Sequence, residues 1–286
     1  VSRALISFMR SRNIQFNANS VKPSTRLYPF FDGEGVSKYC VPKLLEITML
    51  SGTFQVGETV SGVMLPSAQQ PVDDEGTAAA ITFRVATSNH REGPYNSPTK
   101  VYLINPYDRQ TLPGTYSSTS QVLNVDCFSL SNEPEGTYSG FVAKDMRLTG
   151  QTSGAQATVS NLRLISDISA NIQGSFFIPD PNFANNPRFE TGAKVFALNN
   201  LDSNDRMAAT SYSEEQFTST GTLETVQETI ISTRNARTEI QNVSEQRDTS
   251  RTTGTQFVGT ETLSTSQRRI TVNQRGWVGD PLAQSF

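Results

Sequence analysis

The chain has 286 residues, 35% hydrophobic and 18% charged, with a mean hydropathy of -0.40 and a formal net charge of -3. Serine and threonine, 32 of each, fill the gap, a make-up that excludes a compact helical or α/β enzyme and predicts small cores with many turns. Low charge argues against a wholly disordered tail and the acidic balance against non-specific nucleic-acid binding, and no apolar run approaches the ~20 residues of a membrane span.

The first segment, 1–49, is basic, because Arg3, Arg10, Arg12, Lys22 and Arg26 all precede the first acid, Asp32. Arginines along a solvated strand explain this better than an arm that docks on phosphate or on an acidic partner. Apolar and polar residues alternate through Ile14-Gln15-Phe16-Asn17-Ala18, as on a half-buried strand. Val21 to Arg26 reads as a turn. Leu27 to Phe31 then runs apolar into Asp32-Gly33, a strong turn signal. Tyr28, Phe30 and Phe31 are expected to plug a small core. Cys40 and Cys127 have no metal-type spacing and read as two buried thiols, neither a disulfide nor a ligand pair.

Beyond residue 50 short segments recur in order. Val60-Ser61-Gly62 is matched by Leu148-Thr149-Gly150, and Ile81-Thr82-Phe83-Arg84-Val85 by Asn161-Leu162-Arg163-Leu164-Ile165. Lys100 to Asn105 is matched by Lys194 to Asn199, and Thr115-Tyr116-Ser117 by Ser211-Tyr212-Ser213. The expectation is an all-β chain with two related small sandwich or barrel modules in tandem, at 50–135 and 136–221.

Residues 222–286 change character. Thr222 to Thr253 holds no Gly or Pro, and 13 of these 32 residues are β-branched, which suits strands better than helices. Leu223, Val226, Ile230, Ile240 and Val243 fit a helical spacing only in part. The stretch has too few apolar residues for a core of its own and is expected to be an extended Thr/Ser-rich arm that borrows one. The chain as a whole reads as a piece of a longer polypeptide.

No catalytic, cofactor-binding or metal-ligating residue is predicted, and no cofactor. His90 is the only histidine, so neither a His-based zinc site nor a relay can be assembled; a loop imidazole bonding locally is expected. Asp73-Asp74-Glu75 lacks the oxygen spacing of a calcium loop and reads as a solvated run. Gly150-Gln151-Thr152-Ser153-Gly154 has no lysine to make a phosphate loop and reads as a hairpin turn. Carboxylate pairs of the glycosidase kind meet only in the fold.

Met9-Arg10-Ser11-Arg12-Asn13-Ile14-Gln15-Phe16, Lys22 to Gly33 and Val36 resemble a motif of virion structural proteins of large contractile-tailed bacteriophages, especially cyanobacterial and related marine phages. Gly93 to Val101 and Pro187 to Gly192 are similar to the same proteins. Trp277 to Phe286 resembles a recurrent junction at which such chains continue. The resemblance implies a non-enzymatic tail, baseplate or neck component, made in the host cytoplasm and located in the virion. Its partners would be other virion proteins and copies of itself, with the N-terminal strand and residues 222–276 crossing subunit boundaries. The alternative is a receptor- or carbohydrate-binding module at a tail tip, with Tyr95, Tyr102 and Tyr107 lining an exposed groove.

Overall fold

The computed structural model describes residues 2–64, 79–132 and 137–225, and these are nearly all β. The strands begin with β1 (Ser2–Leu5), β2 (Arg12–Asn19), β3 (Arg26–Phe31), β4 (Glu34–Gly35), β5 (Cys40–Pro42), β6 (Leu44–Ser51) and β7 (Thr59–Val63). There follow β8 (Ala80–Arg84), β9 (His90–Glu92), β10 (Lys100–Val101), β11 (Val122–Asn124), β12 (Ser139–Gly140), β13 (Arg147–Gly150) and β14 (Gln156–Asn161). The last are β15 (Leu164–Ile165), β16 (Asn171–Ile178), β17 (Gly192–Asn199), β18 (Tyr212–Ser219) and β19 (Thr222–Thr225). One short helix, α1 (Cys127–Asn132), is capped by Asp126, whose carboxylate accepts the Ser129 N–H at 3.4 Å.

These residues fall into two compact units. In the smaller, β1 pairs antiparallel with β19, Ser2 opposite Thr225 and Leu5 opposite Thr222. The start of the expected arm is therefore a strand. Its remainder, 226–286, and the acid run Asp73-Asp74-Glu75 lie outside the described residues.

The larger unit, 6–221, contains every other element. Seven strands form one antiparallel sheet in the order β11-β6-β14-β13-β7-β8-β12. Polar residues alternate with apolar or glycine positions along β7 and β13, burying Val60, Gly62, Leu148 and Gly150. The sheet curls until the ends of β8 and β11 meet at a bridge between Val85 and Val125. There Asp126 N–H donates to the Arg84 carbonyl at 2.9 Å, and Ala86 N–H to that of Asn124 at 3.0 Å.

The expected modules at 50–135 and 136–221 therefore give way to one interleaved unit. Strands β7, β8 and β11 of 50–135 share a sheet with β12, β13 and β14 of 136–221, and also with β6, which begins within 1–49. The matched triplets Val60-Ser61-Gly62 and Leu148-Thr149-Gly150 lie side by side, Gly62 opposite Leu148. A Cβ on Gly62 would come within 2.8 Å of Leu148 Cδ2 and 2.7 Å of Met146 Sδ, so close packing between neighbours accounts for the glycine. The basic segment 1–49 is likewise built in: β2 pairs along its whole length with β16, Arg12 opposite Ile178 and Asn19 opposite Asn171.

Three smaller sheets complete the described part of the unit: the β9–β10 pair, and β2-β16-β5 and β15-β3-β17-β18, with β4 folded back on β3. Phenylalanines from the last two meet between them. Phe16 lies 4.9 Å from Phe196, and Phe31 lies 5.1 Å from Phe176. Phe189 meets Phe31 edge-on at 4.8 Å. These rings and the inner face of the seven-stranded sheet belong to one continuous core.

Candidate assembly groove

Strands β2 and β18 are both sheet edges, and a cavity of about 280 Å³ opens between them. Directly paired residues on antiparallel strands share a face, which fixes its walls. On one side Ile14 sits opposite Phe176, Phe16 opposite Gly174 and Ala18 opposite Ile172. On the other, Phe31, Phe196 and Glu215 form a row across β3, β17 and β18, with Leu198 and Ser213 paired beside them. Gly174 lets the Phe16 ring lie against β16, since a Cβ there would stand 2.6 Å from Phe16 Cζ and 2.7 Å from the Val41 carbonyl.

A second recess, of about 560 Å³, shares Ile14, Gln15 and Phe217 as walls and adds Ile6, Phe8 and Arg12. Ile6 and Phe8 are each 36% exposed. Together the two recesses make a groove along β2 and β18. Among the described residues, 12–19 and 212–219 make no main-chain hydrogen bonds except to β16 and β17. The open sides of both strands thus offer unpaired N–H and C=O groups, which a sheet edge must cover or share. Glu215 is exposed beside Phe196 and has no partner among the described residues, whereas Glu214 holds Arg206 at 2.7 Å and the Tyr212 hydroxyl at 2.8 Å.

Comparison with family models, curated proteins and solved structures finds no match. The chemistry of the chain is therefore read from its own residues.

The residues singled out in the sequence go to other tasks. Phe30 and Phe31 are buried as expected, while Tyr28 is half-buried beneath the Arg26 guanidinium at 4.9 Å. The three tyrosines expected to line an exposed groove do not come together in one, although Tyr107, half-buried, borders a recess of about 610 Å³. Tyr102 is only 7% exposed and packs with Leu44, Leu112 and Val122. Tyr107 donates its hydroxyl to the Leu44 carbonyl at 2.5 Å and carries Arg163 over its ring at 5.3 Å. Tyr95 is half-buried under Arg84 at 4.5 Å. Burial pushes the Tyr102 and Tyr107 hydroxyls far above their ordinary pKa.

Gly150 to Gly154 is the turn of the β13–β14 hairpin, and its N–H groups do hold an anion, the chain's own Glu58. That buried carboxylate accepts Thr152 N–H at 3.1 Å, Ser153 N–H at 2.9 Å and Gln55 N–H at 2.6 Å. Lys43, Asp126 and Cys127 are buried near the junction of β8 and β11. Lys43 donates to the Val125 carbonyl at 3.1 Å, and Asp126 pairs with Arg84 at 3.1 Å. Burial lowers the lysine's pKa and pushes the Cys127 thiol up to about 11. The cysteine is thus a protonated packing residue at neutral pH. Among the described residues no cluster of three His, Cys, Asp or Glu side chains could hold a metal ion, and no helix is long and apolar enough to cross a membrane.

His90 bonds locally, but from a buried position. Its Nε2 lies 2.8 Å from the Gly93 carbonyl, which can only accept, so Nε2 carries the proton and Nδ1 is left without a partner. Burial first, and then the Lys43 charge, lower its pKa below 6.5. The unfolded chain thus takes up the proton more readily than the folded one. The contribution of His90 to stability is full well above pH 6.5 and is lost as pH drops below that value toward the lower folded pKa. Because the chain has no other histidine, His90→Gln should flatten this fall. Urea midpoints between about pH 7.5 and 5.5 should lose up to ~1.4 kcal/mol per pH unit in the native chain and less in the variant. Equal slopes would refute the assignment.

Proposed function

We propose that this protein is a non-enzymatic structural component of a contractile-tailed phage virion, docking on neighbouring tail, baseplate or neck subunits through its β edges. The groove carries this reading: two open strand edges flank an aromatic floor, and such edges favour pairing with another chain. The phage-like motifs support it, since Met9 to Phe16 supplies the β2 wall and Pro187 to Gly192 includes Phe189, which packs on Phe31. A carbohydrate-binding role has less support, because Tyr102 and Tyr107 are occupied internally.

The test is quantitative mass spectrometry of gradient-purified particles. The protein should co-purify with intact virions at a copy number that is a multiple of three or six, the symmetries of fibres, tails and necks. Its presence only in the unassembled fraction of the lysate would overturn the proposal.

A further inference from the structure

We propose that the groove between β2 and β18 is filled by a strand from residues 226–253 of a second copy, each copy donating to the next. This deepens the assembly reading and rests on it, naming the partner for that groove.

The groove has room for what such a strand brings. An apolar cavity of about 150 Å³ accepts a benzene. The 280 Å³ here, walled by Phe16, Phe31, Phe176, Phe196 and Phe217, takes about two side chains of that size. The flanking edges supply main-chain donors and acceptors for an extended segment. They do not by themselves require any sequence; the side chains do.

The 226–253 stretch has matching features. It contains neither Gly nor Pro and is rich in β-branched residues, while lacking the apolar residues for a core of its own. At period two, one face reads Ile230, Ser232, Arg234, Ala236, Thr238 and Ile240. Isoleucines stand at both ends, small residues lie between them, and there is one cation. Glu215 stands on the groove's apolar face without a partner among the described residues, and Arg234 complements it. A donated strand makes a heterologous contact, in which one surface of each copy meets a different surface of the next. Such contacts close into rings or run on as filaments, the geometry a symmetric tail assembly needs.

Sedimentation of the full-length chain tests this with two variants. Ser213→Trp fills the groove and leaves a donor; Ile230→Asp with Ile240→Asp spoils the strand and leaves an acceptor. The native chain should assemble beyond the dimer, each variant alone should be monomeric, and an equimolar mixture of the two should stop at a dimer. A monomeric native chain would overturn the proposal. So would assembly that ignores either variant, or a mixture that stays monomeric, which would place the strand in its own copy. Circular dichroism checks that Ser213→Trp folds. If it does not, Glu215→Lys takes its place. It should weaken association roughly tenfold and be rescued by Arg234→Glu, and absence of rescue counts against the proposal. Strand donation without presence in particles would refute the virion reading alone. Presence in particles with assembly blind to these variants would refute the donation alone.

Discussion

Phe31→Ala should destabilise the larger unit by roughly 3–5 kcal/mol, as full truncation of a buried aromatic does. The ring is completely buried and touches three others: Phe189 at 4.8 Å, Phe176 at 5.1 Å and Phe217 at 6.2 Å. Those partners come from β16, from β18 and from the segment before β17, so no single strand can shift to close the void. The paired ladders of β3 with β17 and of β16 with β2 hold the walls in place. The void would also join the existing 280 Å³ cavity rather than collapse, which places the loss at the upper part of that range. Urea unfolding followed by far-UV circular dichroism measures it. Phe128→Ala is the control: that ring is 66% exposed and its loss should stay within about 0.5 kcal/mol. A Phe31→Ala loss below about 1 kcal/mol would mean that the phenylalanine cluster does not carry the core.

The strands were legible where local chemistry suffices. Alternation through Ile14 to Ala18 lies within β2, and the apolar run Leu27 to Phe31 is β3. Asp32 and Gly33 turn the chain back with φ of 54° and 88°, as a left-handed turn demands. What sequence could not supply was the pairing. Val60-Ser61-Gly62 and Leu148-Thr149-Gly150 look alike because they are neighbours in one sheet under the same packing demand, and likeness alone cannot separate that from duplication. Tyr102 and Tyr107 sit in a turn-rich run that reads as exposed. They are covered because Leu44 and Val122, distant in sequence, form a small core beneath them. The groove was hidden for the same reason. Its walls come from opposite ends of the larger unit, and Glu215 gains meaning only once Phe196 is known to stand beside it. The one local sign was Ser213, Glu215 and Phe217 on a strand next to the apolar Val195 to Leu198.

Asn13→Ala should cost about 3 kcal/mol and loosen β2 before the rest of the fold. Asn13 lies on the face of β2 opposite Ile14, turned from the aromatic cavity but bordering the second recess, and is 2% exposed. Its Nδ2 donates to the Gly140 carbonyl at 2.9 Å and to Ser175 Oγ at 3.1 Å, while its Oδ1 accepts the Gly140 N–H at 2.9 Å. One amide thus satisfies both main-chain groups of a residue that has little freedom to find other partners. Gly140 is held at φ 111°, and a side chain there would run into the Ala80 carbonyl. Since β12 ends the seven-stranded sheet at Gly140, this amide is also the stitch between that sheet and the groove strand. Alanine leaves a buried donor and acceptor unpaired, at about 1–3 kcal/mol each, with Ser175 losing a third bond. Native-state hydrogen exchange separates the local effect from the global one. Amides of β2 should lose more protection than those of β6 and β14, which pair with each other and not with β2. If the groove is where copies join, the same substitution should weaken assembly under conditions where the seven-stranded sheet is still folded. Uniform loss of protection across all three strands would instead make Asn13 a general core residue with no particular hold on the groove.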